Sequence, residues 1–119
     1  MKFSILAGVA LAVTMTSVAA FADAPPVFAP CKACHKVVAG GKGVGPTLFG
    51  VVGRAGASAE GYAYSEAYKK VAPRKIDAAF LDKWLADPKA VAPGTKMVFP
   101  GIKDDAARKA VIDYLGTLK

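Results

Sequence analysis

Cys31-Lys32-Ala33-Cys34-His35 gathers both cysteines and the only histidine of the 119-residue chain into five consecutive positions. Two thiols and an imidazole at this spacing could form a disulfide, exchange disulfides, ligate a metal or hold a covalent cofactor. A Cys31–Cys34 bridge closes a tiny loop and stabilises little by chain entropy. A redox pair of this type belongs in a strand–helix setting, whereas here Pro30 precedes the pair and a glycine-rich stretch follows it. A zinc site needs a fourth ligand, and there is no second histidine to supply it.

Cofactor attachment fits best. Cys-x-x-Cys-His is the spacing of covalent haem attachment. Thiols three residues apart add across the two vinyl groups on one edge of a porphyrin, and the next residue brings an imidazole nitrogen under the iron. That leaves a sixth iron position. Met1 and Met15 lie in the N-terminal segment, so Met97 is the remaining methionine, within Pro93-Gly94-Thr95-Lys96-Met97-Val98-Phe99-Pro100. A lone methionine is ordinarily a gap-filler. Here a loop fixed by Pro and Gly, and an unfilled iron position, favour a thioether ligand, which stabilises ferrous iron.

The elements that must position these groups are short. Residues 39–53 hold six glycines and Pro46 and read as loop. Asp23 to Pro30 carries three prolines and cannot be one regular helix; any helix there is short and starts near Pro26 or later. Tyr64 to Ala72 reads as a short helix stopped by Pro73. Ile76 to Ala86 reads as another, with Asp77 as its N-cap and Phe80, Leu81, Trp84 and Leu85 as its apolar stripe. Asp87-Pro88 ends it, and residues 88–101 read as irregular. Asp104 and Asp105 open the clearest helix, with Ala107, Ala110, Val111, Tyr114, Leu115 and Leu118 on one face. No alternating run survives as a strand. The expected class is all-α: three to four short helices with long loops.

So thin a core needs something large and apolar in its middle, because a domain below about 100 residues buries little of its own surface. The chain is too apolar for a charge-rich disordered segment, shows no repeat, and lacks the cysteines of a disulfide scaffold.

Residues 1–22 read as a cleaved secretory signal: Lys2, an apolar run from Ile5 to Val13, hydroxyl residues, then Ala20-Phe21-Ala22 as an A-x-A site. The domain expected to remain is 23–119, exported and without stable membrane insertion.

Four stretches, CKACH (31–35), GPTLFGVVGR (45–54), GYAYSEAY (61–68) and PGTKMVFPGI (93–102), make the chain resemble a class I c-type cytochrome of the mitochondrial-like bacterial group that includes cytochrome c2. The resemblance runs from about Cys31 to Leu118. It implies a class I cytochrome c fold wrapped around one haem c held by Cys31 and Cys34. It implies His35 and Met97 as iron ligands, with the Pro46 carbonyl accepting from His35. It further implies Leu48, Trp84 and Leu85 packed on the haem, Arg54 and Tyr64 as propionate partners, and Thr95 near the opposite propionate region. Members usually carry an N-terminal helix with a glycine and an aromatic before the first cysteine, docked on the C-terminal helix. Here Val27 or Phe28 must supply that contact. The buried tryptophan that often donates to a propionate is absent, its place falling near Ile76.

The formal charge of +7, from 16 basic and 9 acidic residues, does not point to nucleic acid in an exported haem protein. Lys32, Lys36, Lys42, Lys96 and Lys103 are expected around the exposed haem edge, where a basic ring docks on acidic patches of redox partners. The function implied is a soluble, monomeric, periplasmic one-electron carrier, and not an enzyme. It would run between a membrane complex or dehydrogenase and an acceptor such as an oxidase or photosynthetic reaction centre. The alternatives are a haem subunit of a larger exported redox enzyme, or a haem enzyme or gas-binding protein with an open sixth position.

Overall fold

Side-chain caps start most of the helices. The computed structural model describes residues 8–14 and 23–119; Lys2 and Ala20-Phe21-Ala22, on which the export reading rests, lie outside the described residues. A 3₁₀ turn at Pro26–Phe28 runs into α1, Ala29–Lys32, as the proline content of 23–30 requires. The later helices are α2 (Glu66–Val71), α3 (Ala78–Ala86), α4 (Pro88–Val91) and α5 (Asp105–Gly116). Ser65, Asp77, Asp87 and Asp104 each accept a backbone N–H at their helix start, at 3.1, 2.8, 3.1 and 2.7 Å. Such a cap contributes about 1 kcal/mol.

Two expectations need correction. Residues 88–91 are not irregular but form α4: Asp87 ends α3 and caps α4, and Pro88 at the first helical turn needs no N–H partner. This makes five α-helices rather than three or four. The stripe on α5 is also narrower than read. Ala110 is exposed, and Leu118 lies beyond the helix end, its carbonyl accepting from Gly50 N. No strand occurs among the described residues. Among them, too, no helix is long and apolar enough to cross a membrane.

Phe28, fully buried, meets Tyr114 of α5 edge-on with ring centroids 4.9 Å apart. It thereby joins the N-terminal turn to the C-terminal helix from just outside a helix too short to make that contact itself. The core continues through Val51, Ile76, Leu81, Leu85, Ile102, Val111 and Leu115. The α3–α5 seam carries a feature that periodicity hid. Arg108 is 8% exposed and donates to Asp82 at 2.6 Å, to Asp105 at 2.6 Å and to the Ile102 carbonyl at 3.0 Å. The apolar stem packs while the guanidinium is satisfied.

Candidate functional site

The turn after α1 sets the first groups. The Cys31 carbonyl accepts from Cys34 N at 3.2 Å and from His35 N at 2.9 Å, so helical backbone carries through to the histidine. Both cysteines are free; Cys31 is buried and Cys34 exposed. Burial, followed by the charge of Cys34, pushes the Cys31 thiol above its ordinary pKa. It therefore stays protonated at neutral pH, which runs against a thiolate-driven disulfide oxidoreductase.

His35 Nδ1 lies 2.7 Å from the Pro46 carbonyl. A carbonyl only accepts, so Nδ1 carries the proton and Nε2 keeps its lone pair. Burial first, and then the Arg54 charge, depress the imidazole pKa against the opposing Pro46 bond. The ring is thus neutral and able to ligate. Gly45 makes this approach possible, because a Cβ there would sit 2.5 Å from His35 Cε1 and 2.9 Å from Nδ1.

The second loop brings Met97. Its N–H donates to Thr95 Oγ1 at 3.3 Å, Thr95 N donates to the Ala92 carbonyl at 2.9 Å, and Lys96 Nζ donates to the Ala63 carbonyl at 2.8 Å. Beyond it, Ile102 N donates to the Leu85 carbonyl at 2.7 Å, and Gly101 lies so close to Ala86 that a Cβ would collide with the Ala86 carbonyl oxygen.

These segments enclose a cavity of about 320 Å³ with a mainly apolar lining. Every residue expected at the site lines it: Cys31, Cys34, His35, Pro46, Leu48, Arg54, Tyr64, Trp84, Thr95 and Met97, with Leu85 beside them. Tyr62, Tyr68 and Phe80 also line it and were not foreseen as site residues. Their placement at 62, 64, 68 and then 80, 84 on two neighbouring helical stretches was the available signal. Ile76, at the expected tryptophan position, is buried and offers no donor.

The cavity's chemistry fits a large apolar disc with an acidic edge. Arg54 Nη1 donates to the Thr47 and Phe49 carbonyls at 3.0 and 3.1 Å. Its buried Nε has no partner among the described residues. A buried donor without an acceptor is costly, and a carboxylate from a bound group would satisfy it. The Tyr64 phenol oxygen accepts from Ala59 N at 3.0 Å, leaving its O–H to donate elsewhere. No cluster of three or more His, Cys, Asp and Glu side chains able to hold a bare metal ion occurs among the described residues.

The lysine ring is only partly as expected. Lys32, Lys36 and Lys42 are exposed. Lys96 stands at the cavity but is tied to Ala63, and Lys103 donates to the Ala86 carbonyl at 2.6 Å.

A family model described as Cytochrome c matches residues 21–119. Cytochrome c2 of Rhodoplanes tepidamans is 54% identical over 97 residues, spanning 82% of this chain and 99% of that protein. Cytochrome c2 iso-2 of Magnetospirillum fulvum is 52% identical over 97 residues, spanning 82% of this chain and all of its own length. Among solved structures, cytochrome cH from Methylobacterium extorquens is 56% identical with a TM-score of 0.69, covering 76% of this chain and 91% of that one.

Proposed function

The chain belongs to the cytochrome c family, electron-transfer proteins of all-α, class I fold with one covalently attached haem c, and on that footing we propose an exported periplasmic carrier with His35 and Met97 as its axial pair. Cys31 and Cys34 are the only cysteines in the sequence and so the sulfurs available for attachment. When bound, haem supplies a one-electron ferric–ferrous couple.

The chain's own residues do the rest. Pro46 holds the His35 tautomer that presents Nε2, and Gly45 leaves room for the ring. Thr95 orients the backbone of Met97. Arg54 Nε and the Tyr64 hydroxyl donate to the acidic edge of the haem, while Leu48, Trp84 and Leu85 exclude water from its faces. With both axial positions filled, nothing binds and little rearranges, which suits a carrier rather than a catalyst. The observation that carries this reading is the meeting of a neutral, tautomer-fixed His35 and the lone Met97 of residues 23–119 on one apolar cavity.

Removal of residues 1–22 as a signal would deliver residues 23–119 to the periplasm as a soluble monomer. There the exposed Lys32, Lys36 and Lys42 steer it to acidic patches on redox partners, a membrane complex or dehydrogenase on one side and an oxidase or reaction centre on the other. The test is to isolate the exported protein and record its mass with ferric and ferrous spectra. The expected mass is that of residues 23–119 plus one haem. The expected ferric spectrum carries the near-infrared band of methionine–iron ligation. A colourless product at the bare polypeptide mass refutes haem attachment. Rapid CO binding by ferrous protein at neutral pH refutes Met97 ligation.

A further inference from the structure

Four cavity side chains form a continuous aromatic row. Trp84 meets Tyr68 edge-on with ring centroids 5.0 Å apart. Tyr68 stacks on Tyr64 at 5.5 Å with 21° between the ring planes, and Tyr64 meets Tyr62 edge-on at 4.8 Å. These are favourable pair geometries. Packing alone does not call for them, since phenylalanine would fill the same space without hydroxyls that need partners. Indole and phenol are, however, the rings that give up one electron most readily, and here three phenols and one indole touch in sequence from the cavity to the partly exposed Tyr62.

We propose that this row carries an oxidising equivalent from the haem cavity to Tyr62, where a small one-electron reductant discharges it. The proposal rests on the haem-binding reading above. The oxidant is a peroxide. Hydrogen peroxide takes two electrons and two protons to become two waters. In ferrous holoprotein the iron provides one electron and the row the other. The vacancy passes ring to ring until Tyr62 has lost one electron and its phenolic proton, the proton going to water. A thiol then returns a hydrogen atom to Tyr62, and two thiyl radicals pair as a disulfide.

The chemistry along the row favours this direction. Tyr68 is partly buried, and burial followed by its neighbour Tyr64 pushes its phenol pKa up. It holds its proton, so a vacancy is not trapped there. At the outer end Lys96 Nζ stands 6.0 Å from the Tyr62 ring centroid. A cation at the ring penalises a radical cation and so favours loss of the proton together with the electron.

The test uses ferrous holoprotein whose haem content has been verified by mass and spectrum. Absence of haem would therefore defeat the earlier reading before this one is tried. The protein is treated with hydrogen peroxide beside a nitroso spin trap, digested and mapped by mass spectrometry. Tyr114, packed on Phe28 and outside the row, is the internal control. The expected result is severalfold more adduct on Tyr62 than on Tyr114. In Tyr62→Phe with an unchanged resting spectrum, adducts move inward to Tyr64 and Trp84, and peroxide bleaches the Soret band severalfold faster. Equal adduct on Tyr62 and Tyr114, or an unchanged bleaching rate in Tyr62→Phe, overturns the proposal.

Discussion

The loop that follows His35 and the loop that carries Met97 are built to different tolerances. On the histidine side, Gly45 N bonds the Cys34 carbonyl at 2.8 Å, Leu48 N bonds the Lys36 carbonyl at 2.9 Å, and Thr47 Oγ1 donates to the Val38 carbonyl at 2.6 Å. Arg54 then ties the Thr47 and Phe49 carbonyls together. Ring, glycine and carbonyl fit so closely that the histidine's orientation is fixed by the chain itself. The methionine side is anchored at its ends, by Ala92 and by Ile102 on α3. Between them it relies on a long Met97–Thr95 bond of 3.3 Å and the solvent-exposed Lys96–Ala63 bond. Val98, next to the methionine, is 85% exposed. Segments with few buried contacts and exposed bonds open locally at lower cost than the rest of a fold. The contrast therefore predicts a rigid histidine and a methionine loop that yields first.

Removing the rigid side should have the largest effect. His35→Ala is expected to abolish accumulation of holoprotein, read as loss of red colour and of haem mass in the exported fraction. A normally folded red product would contradict the assignment. Met97→Ala should be milder: haem stays covalently attached, but the methionine–iron band disappears and ferrous protein binds CO rapidly. Unchanged spectra would mean Met97 is not the ligand. Gly45→Ala forces a methyl to 2.5 Å from the imidazole. It should cost about 1–3 kcal/mol by overpacking, seen as a lower midpoint in urea with the axial ligands retained. Lys96→Ala removes the one side-chain bond from the methionine loop to residues 61–65. It should cost about 1 kcal/mol or less, with an earlier loss of the near-infrared band than of helix signal as urea rises. If Lys96→Ala and Gly45→Ala loosen the two ligands equally, the two loops are not different in stiffness. The smallest structural effect belongs to charge: replacing Lys36 or Lys42 should leave spectra and stability unchanged. It should slow reduction of an acidic partner at low salt, with the difference fading as ionic strength rises.

The candidate site was more legible in the sequence than the elements around it. Cysteine and histidine spacing is a covalent constraint, readable without a fold. Caps at Asp77 and Asp104 act within one helical turn and were equally plain. Asp87 was harder because the same side chain that stops α3 starts α4, and Pro88 was read as a terminator rather than as a first-turn residue. Phe28 and Arg108 mark the next level. Both gain their roles from partners far along the chain, Tyr114 for one and Asp82 for the other.

The order of residues by itself determined the haem attachment motif, the number of candidate ligands and the helix starts, because each depends on neighbours a few bonds away. Tertiary structure alone decided that His35 Nδ1 faces the Pro46 carbonyl, that Arg54 Nε is left unpartnered inside the cavity, and that three tyrosines and a tryptophan touch in a line. Those facts depend on how separate loops pack against one another, and local spacing carries no term for that.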